Sequence, residues 1–211
     1  MQNKNILITG GMGFIGPSII NRLSSSNNLV VVDRLDYGIA PILENSIINN
    51  DIELIVSDLS ELSSIHDRIT DGEFDVIIHM ASMSLIPVCE NRPEFAYRSN
   101  TLSALNILQA NRKGAVFLNF STSAVYFPAG KAHDENDEYQ PIDIYGWTKK
   151  HAEELARVYS KMLNFPVINI RLANAAGFGE TNLKLFGEIL FQIDQGNSEI
   201  KFDEFDKVSV P

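Results

Sequence analysis

The stretch Asn5-Ile6-Leu7-Ile8-Thr9-Gly10-Gly11-Met12-Gly13-Phe14-Ile15-Gly16 reads as a buried strand that breaks at once into a glycine turn and the start of a helix. Its apolar run is too short for a signal peptide or a membrane span. Glycines fall at 10, 13 and 16. The first suits a tight turn, the second lets the chain approach a pyrophosphate, and the third lets the helix pack close on the sheet. Free backbone N–H groups at the helix start are then available to phosphate oxygens. The same spacing occurs in ordinary turns, so its meaning depends on what surrounds it.

Outward from this point, apolar runs recur at Leu29 to Val32, Ile52 to Val56, Val76 to His79, Ala115 to Ser121 and Val167 to Arg171, each a candidate strand. Between them, Ile15 to Ser24, Leu59 to Ile69, Glu94 to Asn111 and Tyr145 to Leu163 carry helical spacing. This alternation predicts an α/β fold in which right-handed crossovers build a parallel sheet with helices on both faces. The segment Phe127 to Ile144, rich in Pro, Gly, Asp and Glu, exceeds an ordinary connection and is expected to be a functional loop.

Composition narrows the partners. At 211 residues with 45% hydrophobic content, the chain can bury a sizeable core. Its 17 Lys and Arg against 27 Asp and Glu leave a net charge of −10, and no basic cluster offsets it, which argues against nucleic acid or a membrane surface as partner. Cys89 is the one cysteine, so no internal disulfide can form. No Cys/His spacing suits zinc, no metal is expected, and a reducing, cytoplasmic setting fits.

Asp33 closes the second candidate strand, about 20 residues past the glycines, where a carboxylate can accept both hydroxyls of a ribose. It would repel a 2′-phosphate, so NAD is favoured over NADP, although the adjacent Arg34 supplies a cation. Asp58, at the end of the third strand, offers an acceptor for the adenine amino group or an N-cap for the helix after it. Tyr145 and Lys149 stand four apart at the start of a helix and so project from one face. A phenol is a poor base near neutrality, and a neighbouring ammonium plus an oxidised nicotinamide bring it towards working range. Thr122 or Ser123, ending the fifth strand at the carboxyl edge, can hydrogen-bond a substrate oxygen. Met80-Ala81-Ser82 ends the fourth strand with a stretch that lets the backbone lie against a cofactor. His79 reads as a structural or packing residue. Asn100 and Asn174 are open between capping and function.

Taken in order, Thr9-Gly10-Gly11-Met12-Gly13-Phe14-Ile15-Gly16, Asp33, Asp58-Leu59, His79-Met80-Ala81, Asn100, Ser121 to Tyr126, Tyr145-Gly146-Trp147-Thr148-Lys149 and Arg171-Leu172-Ala173-Asn174 resemble the extended short-chain dehydrogenase/reductase family, in particular its NAD-dependent nucleotide-sugar epimerases and dehydratases. The resemblance implies a Rossmann-type doubly wound sheet, with Tyr145 as general acid/base, Lys149 holding the nicotinamide ribose and tuning Tyr145, and Thr122, or Ser123 beside it, as the hydroxyl partner. Expected cofactor contacts are Gly10, Gly13, Phe14, Ile15, Gly16, Asp33, Arg34, Asp58, Leu59, Met80, Ala81, Ser82, Asn100 and Lys149. Ser84, Thr122 and Asn174 are expected to face the substrate. Ser123-Ala124 replaces the Asp-Glu pair that drives water loss in the dehydratases, which favours an epimerase or a reductase. Phe127, Asp143-Ile144 and Ala175-Ala176-Gly177-Phe178 depart from the family pattern on the substrate side, so they bear on the sugar more than on the cofactor.

The resemblance also sets an expectation for the end of the chain. Residues 1–180 read as an NAD-binding domain with the catalytic residues, and 181–211 as the start of an incomplete substrate domain: Asn182 to Gly196 as a helix and Ile200-Lys201-Phe202 as a strand. The C-terminal substrate domain is therefore expected to be largely absent, the chain being a fragment, completed by a partner, or without turnover. Three functions follow as expectations: a nucleotide-sugar epimerase or related oxidoreductase, a non-catalytic NAD-binding module, or a reductase of a non-nucleotide carbonyl compound. A homodimer through Glu94 to Asn111 and Tyr145 to Leu163 is carried by the resemblance.

Overall fold

Strand β1 (Asn5–Thr9) lies at the middle of a parallel sheet of six strands, flanked by β2 (Asn28–Asp33) and β4 (Val76–His79), in the order β3-β2-β1-β4-β5-β6. The outer strands are β3 (Glu53–Val56), β5 (Val116–Thr122) and β6 (Val167–Leu172). The computed structural model describes residues 1–49, 51–61, 64–130, 132–177, 180, 184–197 and 199–200. Strand order reverses between β1 and β4, and in such sheets ligands bind in the crevice beyond the carboxyl ends of the strands at that point.

The apolar runs are continuous because the sheet is covered on both sides. On one face Leu7, Ile77 and Phe117 pack with Ile65 and Ile69 of α3 (Ser64–Asp71), Ile107 and Leu108 of α6 (Ser103–Ala110) and Ala156 of α7 (Ile144–Leu163). On the other, Ile6, Ile8, Val31 and Ile78 meet Ile20 of α1 (Gly16–Leu23), with Ile47 of α2 (Glu44–Ile48) packed alongside. Each such side chain contributes about 1.5–3 kcal/mol of burial. The expected doubly wound α/β architecture is what forms.

Helix α7 carries the candidate catalytic pair, and its start is fixed from two sides. The Asp143 carboxylate accepts the Gly146 N–H at 2.6 Å, a side-chain N-cap, and Glu90 accepts the Ile144 N–H at 2.7 Å. Its end is set by Asn164, whose left-handed φ of 56° terminates the helix.

Some expectations need correction. The helix foreseen over Leu59 to Ile69 begins only at Ser64 among the described residues, because Asp58 organises a turn first: its Oδ1 accepts the Ser60 N–H at 2.8 Å and its carbonyl accepts the Glu61 N–H at 3.1 Å. Asp58 therefore caps that turn and not the helix. Glu94 to Asn111 is divided into α5 (Pro93–Tyr97), a wider π turn over Arg98–Leu102, and α6. The helix α4 (Ile86–Asn91) was not foreseen; Pro87 in its first turn is the start signal that apolar spacing misses. A last helix, α8 (Leu185–Asp194), falls within the expected Asn182 to Gly196. Asn182 itself, Phe178 and the Lys201-Phe202 end of the expected strand lie outside the described residues. Among the described residues no helix is long and apolar enough to cross a membrane.

Candidate active site

A cleft of about 1490 Å³ lies at the carboxyl edge and runs from the glycine turn, past Asp33 and Asp58, to Tyr145 and Asn174. Its geometry begins with the turn. Gly10 has a φ of 68°, and a Cβ there would stand 2.6 Å from the backbone N and Cα of Ala81. A Cβ on Gly16 would stand 2.1 Å from the Gly11 carbonyl oxygen, so only glycine lets α1 start this close to β1. At Gly13 the one near neighbour of such a Cβ is the Gly10 oxygen at 3.3 Å. Among the described residues no side chain caps α1, which leaves its first N–H groups to the cleft that Phe14, Ile15 and Gly16 line.

Asp33 braces the turn: one oxygen accepts the Met12 N–H at 2.9 Å and the other the Leu35 N–H at 2.8 Å. Each oxygen keeps a lone pair for a ligand hydroxyl. Arg34 lines the same wall but is committed, with Nη2 2.7 Å from Asp36, Nη1 donating to Ser99 at 3.2 Å and lying 3.5 Å from Asp58, and the guanidinium 5.0 Å from the Phe95 ring centroid. For Asp58, burial opposes ionisation, but the Ser60 backbone and hydroxyl together with Arg34 outweigh it and hold the carboxyl below the usual carboxylate range.

At the other end, Tyr145 packs partly buried against Met83, Cys89 and Ala96, with the Thr122 and Ser82 hydroxyls near enough to its own to favour its ionisation. Burial pushes the phenol up to about 12, against the pull of those two hydroxyls. Thr122, Ser123 and Ser82 all line the cleft beside Tyr145.

Lys149, one turn further along α7, is 1% exposed. Among the described residues it makes no hydrogen bond or ion pair. Burial brings its ammonium down to about 8, against the raising effect of Glu153. His79 is fully buried; its Nδ1 meets the Thr9 hydroxyl at 2.8 Å, and burial first, Lys149 second, push it down to about 3. It is neutral at working pH, in agreement with a structural role.

Of the remaining expected contacts, Leu59, Met80, Ala81, Ser82, Ser84 and Asn174 line the cleft. Asn100 does not. It is wholly buried, with Oδ1 accepting the Met83 N–H at 2.6 Å and Nδ2 donating to the Met83 carbonyl at 3.0 Å and to Thr148 at 2.8 Å. Among the described residues its amide clamps the β4–α4 loop to α7. Sequence reasoning missed Tyr37, the Ile39 to Ile42 wall and Ser121, all on the cleft. The loop Phe127 to Ile144 is held by Arg171, which donates to the Glu135 carbonyl at 2.8 Å and to the hydroxyls of Tyr126 and Tyr139.

These residues fit a nicotinamide dinucleotide. The cleft has the size for it, the uncapped helix start suits its diphosphate, and the Ser121 Oγ on the cleft wall is buried without a partner among the described residues. No cluster of metal ligands exists among the described residues.

The comparisons agree with this geometry. Residues 6–205 match the NAD dependent epimerase/dehydratase family, and the chain belongs to that family. It is 33% identical over 185 residues to the UDP-glucuronic acid decarboxylase 1 of Danio rerio, covering 83% of this chain and 42% of that protein. It is 26% identical over 189 residues to the bifunctional UDP-glucose 4-epimerase and UDP-xylose 4-epimerase 3 of Arabidopsis thaliana, covering 84% and 54%. The chain thus spans about half the length of the curated relatives it matches. Among solved structures, the UDP-N-acetylglucosamine 4-epimerase of Methanobrevibacter ruminantium superposes with a TM-score of 0.82 at 21% identity, over 94% of this chain and 65% of that one. The UDP-glucuronic acid 4-epimerase of Bacillus cereus, in complex with UDP-glucuronic acid and NAD, gives 0.80 at 24%, over 90% and 63%. At these identities the likeness is one of fold.

Proposed function

We propose that this chain is the NAD-binding, catalytic part of a nucleotide-sugar epimerase or a related oxidoreductase, with residues 1–180 as the NAD domain and 181–211 as the beginning of the substrate-binding part. One observation carries the reading: the phenol of Tyr145, with Thr122 and Ser82 beside it, shares a cleft with the glycine turn and Asp33. UDP-sugar enzymes among the relatives support a nucleotide sugar as substrate. The commitment of Arg34 to Asp36, Asp58 and Ser99 supports NAD over NADP.

Gly10 to Gly16 would hold the diphosphate at the start of α1, and Asp33 the adenosine ribose. When bound, NAD supplies a positively charged ring that accepts a hydride and returns it. Thr122 and Ser82 orient the phenol, and Tyr145 takes the proton from a sugar hydroxyl and later gives it back. With its own group at about 12, Tyr145 needs the Lys149 ammonium nearby to do this near neutrality. Asn174 and Ser84 face the sugar. The buried Cys89 thiol and the acidic charge balance support a cytoplasmic setting. Exposed Trp147, Val158 and Met162 along α7 support pairing with a second copy.

Tyr145→Phe is the test. Hydride transfer from a nucleotide sugar, read as NADH absorbance in a single turnover, should vanish while NAD binding stays within about twofold. An active variant would refute the assignment, and NAD binding by a parent chain that reduces no cofactor across a panel of nucleotide sugars would favour a binding module.

A further inference from the structure

Tyr145, Lys149 and Glu153 follow one another at four-residue steps along α7, so they share one face. Glu153 is fully buried, and a buried carboxylate one turn from an ammonium would ordinarily capture it. It does not, because Arg171 of β6 holds it from the other side: Nε lies 3.1 and 3.3 Å from the two carboxylate oxygens and Nη2 lies 3.0 Å from one of them. Tyr139 donates to the same carboxylate at 2.8 Å. Lys149 is left without an ion pair among the described residues.

We propose that Arg171 is a positioning residue for the reaction: by holding the Glu153 carboxylate it keeps the Lys149 ammonium out of an intrahelical ion pair and available to Tyr145 and the cofactor. The proposal rests on the reading of the cleft given above. Lys149 then faces Tyr145 and Glu153 on its own helix, with His79 on β4 close enough to feel its charge, while Arg171 on β6 and Tyr139 in the loop hold Glu153. An Arg171→Met chain bares the carboxylate. Lys149 is the nearest unpaired cation on that face, and its capture would neutralise the charge that favours phenolate. Arg171 also straps the Phe127 to Ile144 loop, so a purely structural role must be separated from this one.

Two measurements on the 211-residue chain do so. One is the titration of Lys149 followed by carbon-13 NMR of labelled lysine, with the resonance assigned by its loss in Lys149→Met. The other is calorimetry with NAD+. In the parent, Lys149 should titrate near 8. In Arg171→Met the midpoint should rise by about one unit or more and NAD+ should bind about tenfold more weakly, the scale of one charge-assisted hydrogen bond. In Arg171→Met/Glu153→Gln, where no buried carboxylate remains, the midpoint should fall to or below that of the parent and binding should recover to within about twofold. An unmoved midpoint in the single variant, or a double variant as weak as the single, overturns the proposal. If the single variant does not fold, the double variant decides: NAD+ binding near the parent supports the proposal and its loss overturns it. A parent that binds no NAD+ refutes the function of the cleft, and the Lys149 midpoints alone then decide the role of Arg171: a rise in the single variant that the double variant reverses supports it, and an unmoved midpoint in the single variant overturns it.

Discussion

Adding one methyl group at two glycines of the same turn should separate packing from ligand binding. At Gly16 the new Cβ would meet Gly11 backbone atoms at 2.1, 2.5 and 2.6 Å, and backbone cannot rotate away. Alanine in a helix gains about 0.5–1 kcal/mol over glycine, but overpacking costs roughly 1–3 kcal/mol and more when backbone must shift. Gly16→Ala should therefore lose about 1–2 kcal/mol, or roughly 2–8 °C in Tm for a domain of this size. At Gly13 the new Cβ meets only the Gly10 oxygen at 3.3 Å, so stability should stay within about 0.5 kcal/mol, while the methyl group occupies space meant for the diphosphate. Urea denaturation and NAD calorimetry on both variants read the two effects apart. A Gly16→Ala chain as stable as the parent would refute the packing argument, and a Gly13→Ala chain that binds NAD unchanged would refute the phosphate site.

Two further consequences follow from buried charge. The Lys149 group is lowered from 10.5 to about 8 on folding, so its buried ammonium costs stability below about pH 8, and the cost is relieved as pH rises towards 10.5. Lys149→Met should then raise stability near neutrality by on the order of 3 kcal/mol while weakening NAD binding, and a destabilised variant would contradict this. His79 is lowered from 6.5 to about 3, so the unfolded chain takes up a proton that the folded chain refuses, and stability falls as pH drops from about 6.5 towards 3. Between about pH 6.5 and 5 that amounts to about 2 kcal/mol. His79→Asn, which can keep the Thr9 hydrogen bond, should flatten the urea midpoint over that interval; an unchanged pH slope would argue against a neutral buried imidazole.

The sheet and the cofactor end of the cleft were legible because they depend on local signals. An apolar run ending in Thr9-Gly10 fixes strand, turn and helix together, and Asp33 and Tyr145 follow from where the strands and α7 begin and end. Leu59 misled because Leu59, Leu62, Ile65 and Ile69 follow one another at steps of three and four in the sequence, although Asp58 opens a turn first. Asn100 stayed open in sequence because an amide early in a helix looks the same whether it meets a ligand or, as it does, the Met83 backbone. The strap on the Phe127 to Ile144 loop was invisible: the Glu135 to Tyr139 segment, Glu153 and Arg171 come from separate elements and meet only when β6 and α7 pack. Polar contacts across elements leave no period to read.

A structure of the chain soaked with NAD tests the central claim most directly. The diphosphate should lie over Gly10 to Gly16, a ribose should bond to Asp33, and the nicotinamide should sit beside the Tyr145 hydroxyl. A dinucleotide bound elsewhere, or with its nicotinamide turned away from Tyr145, would contradict the account.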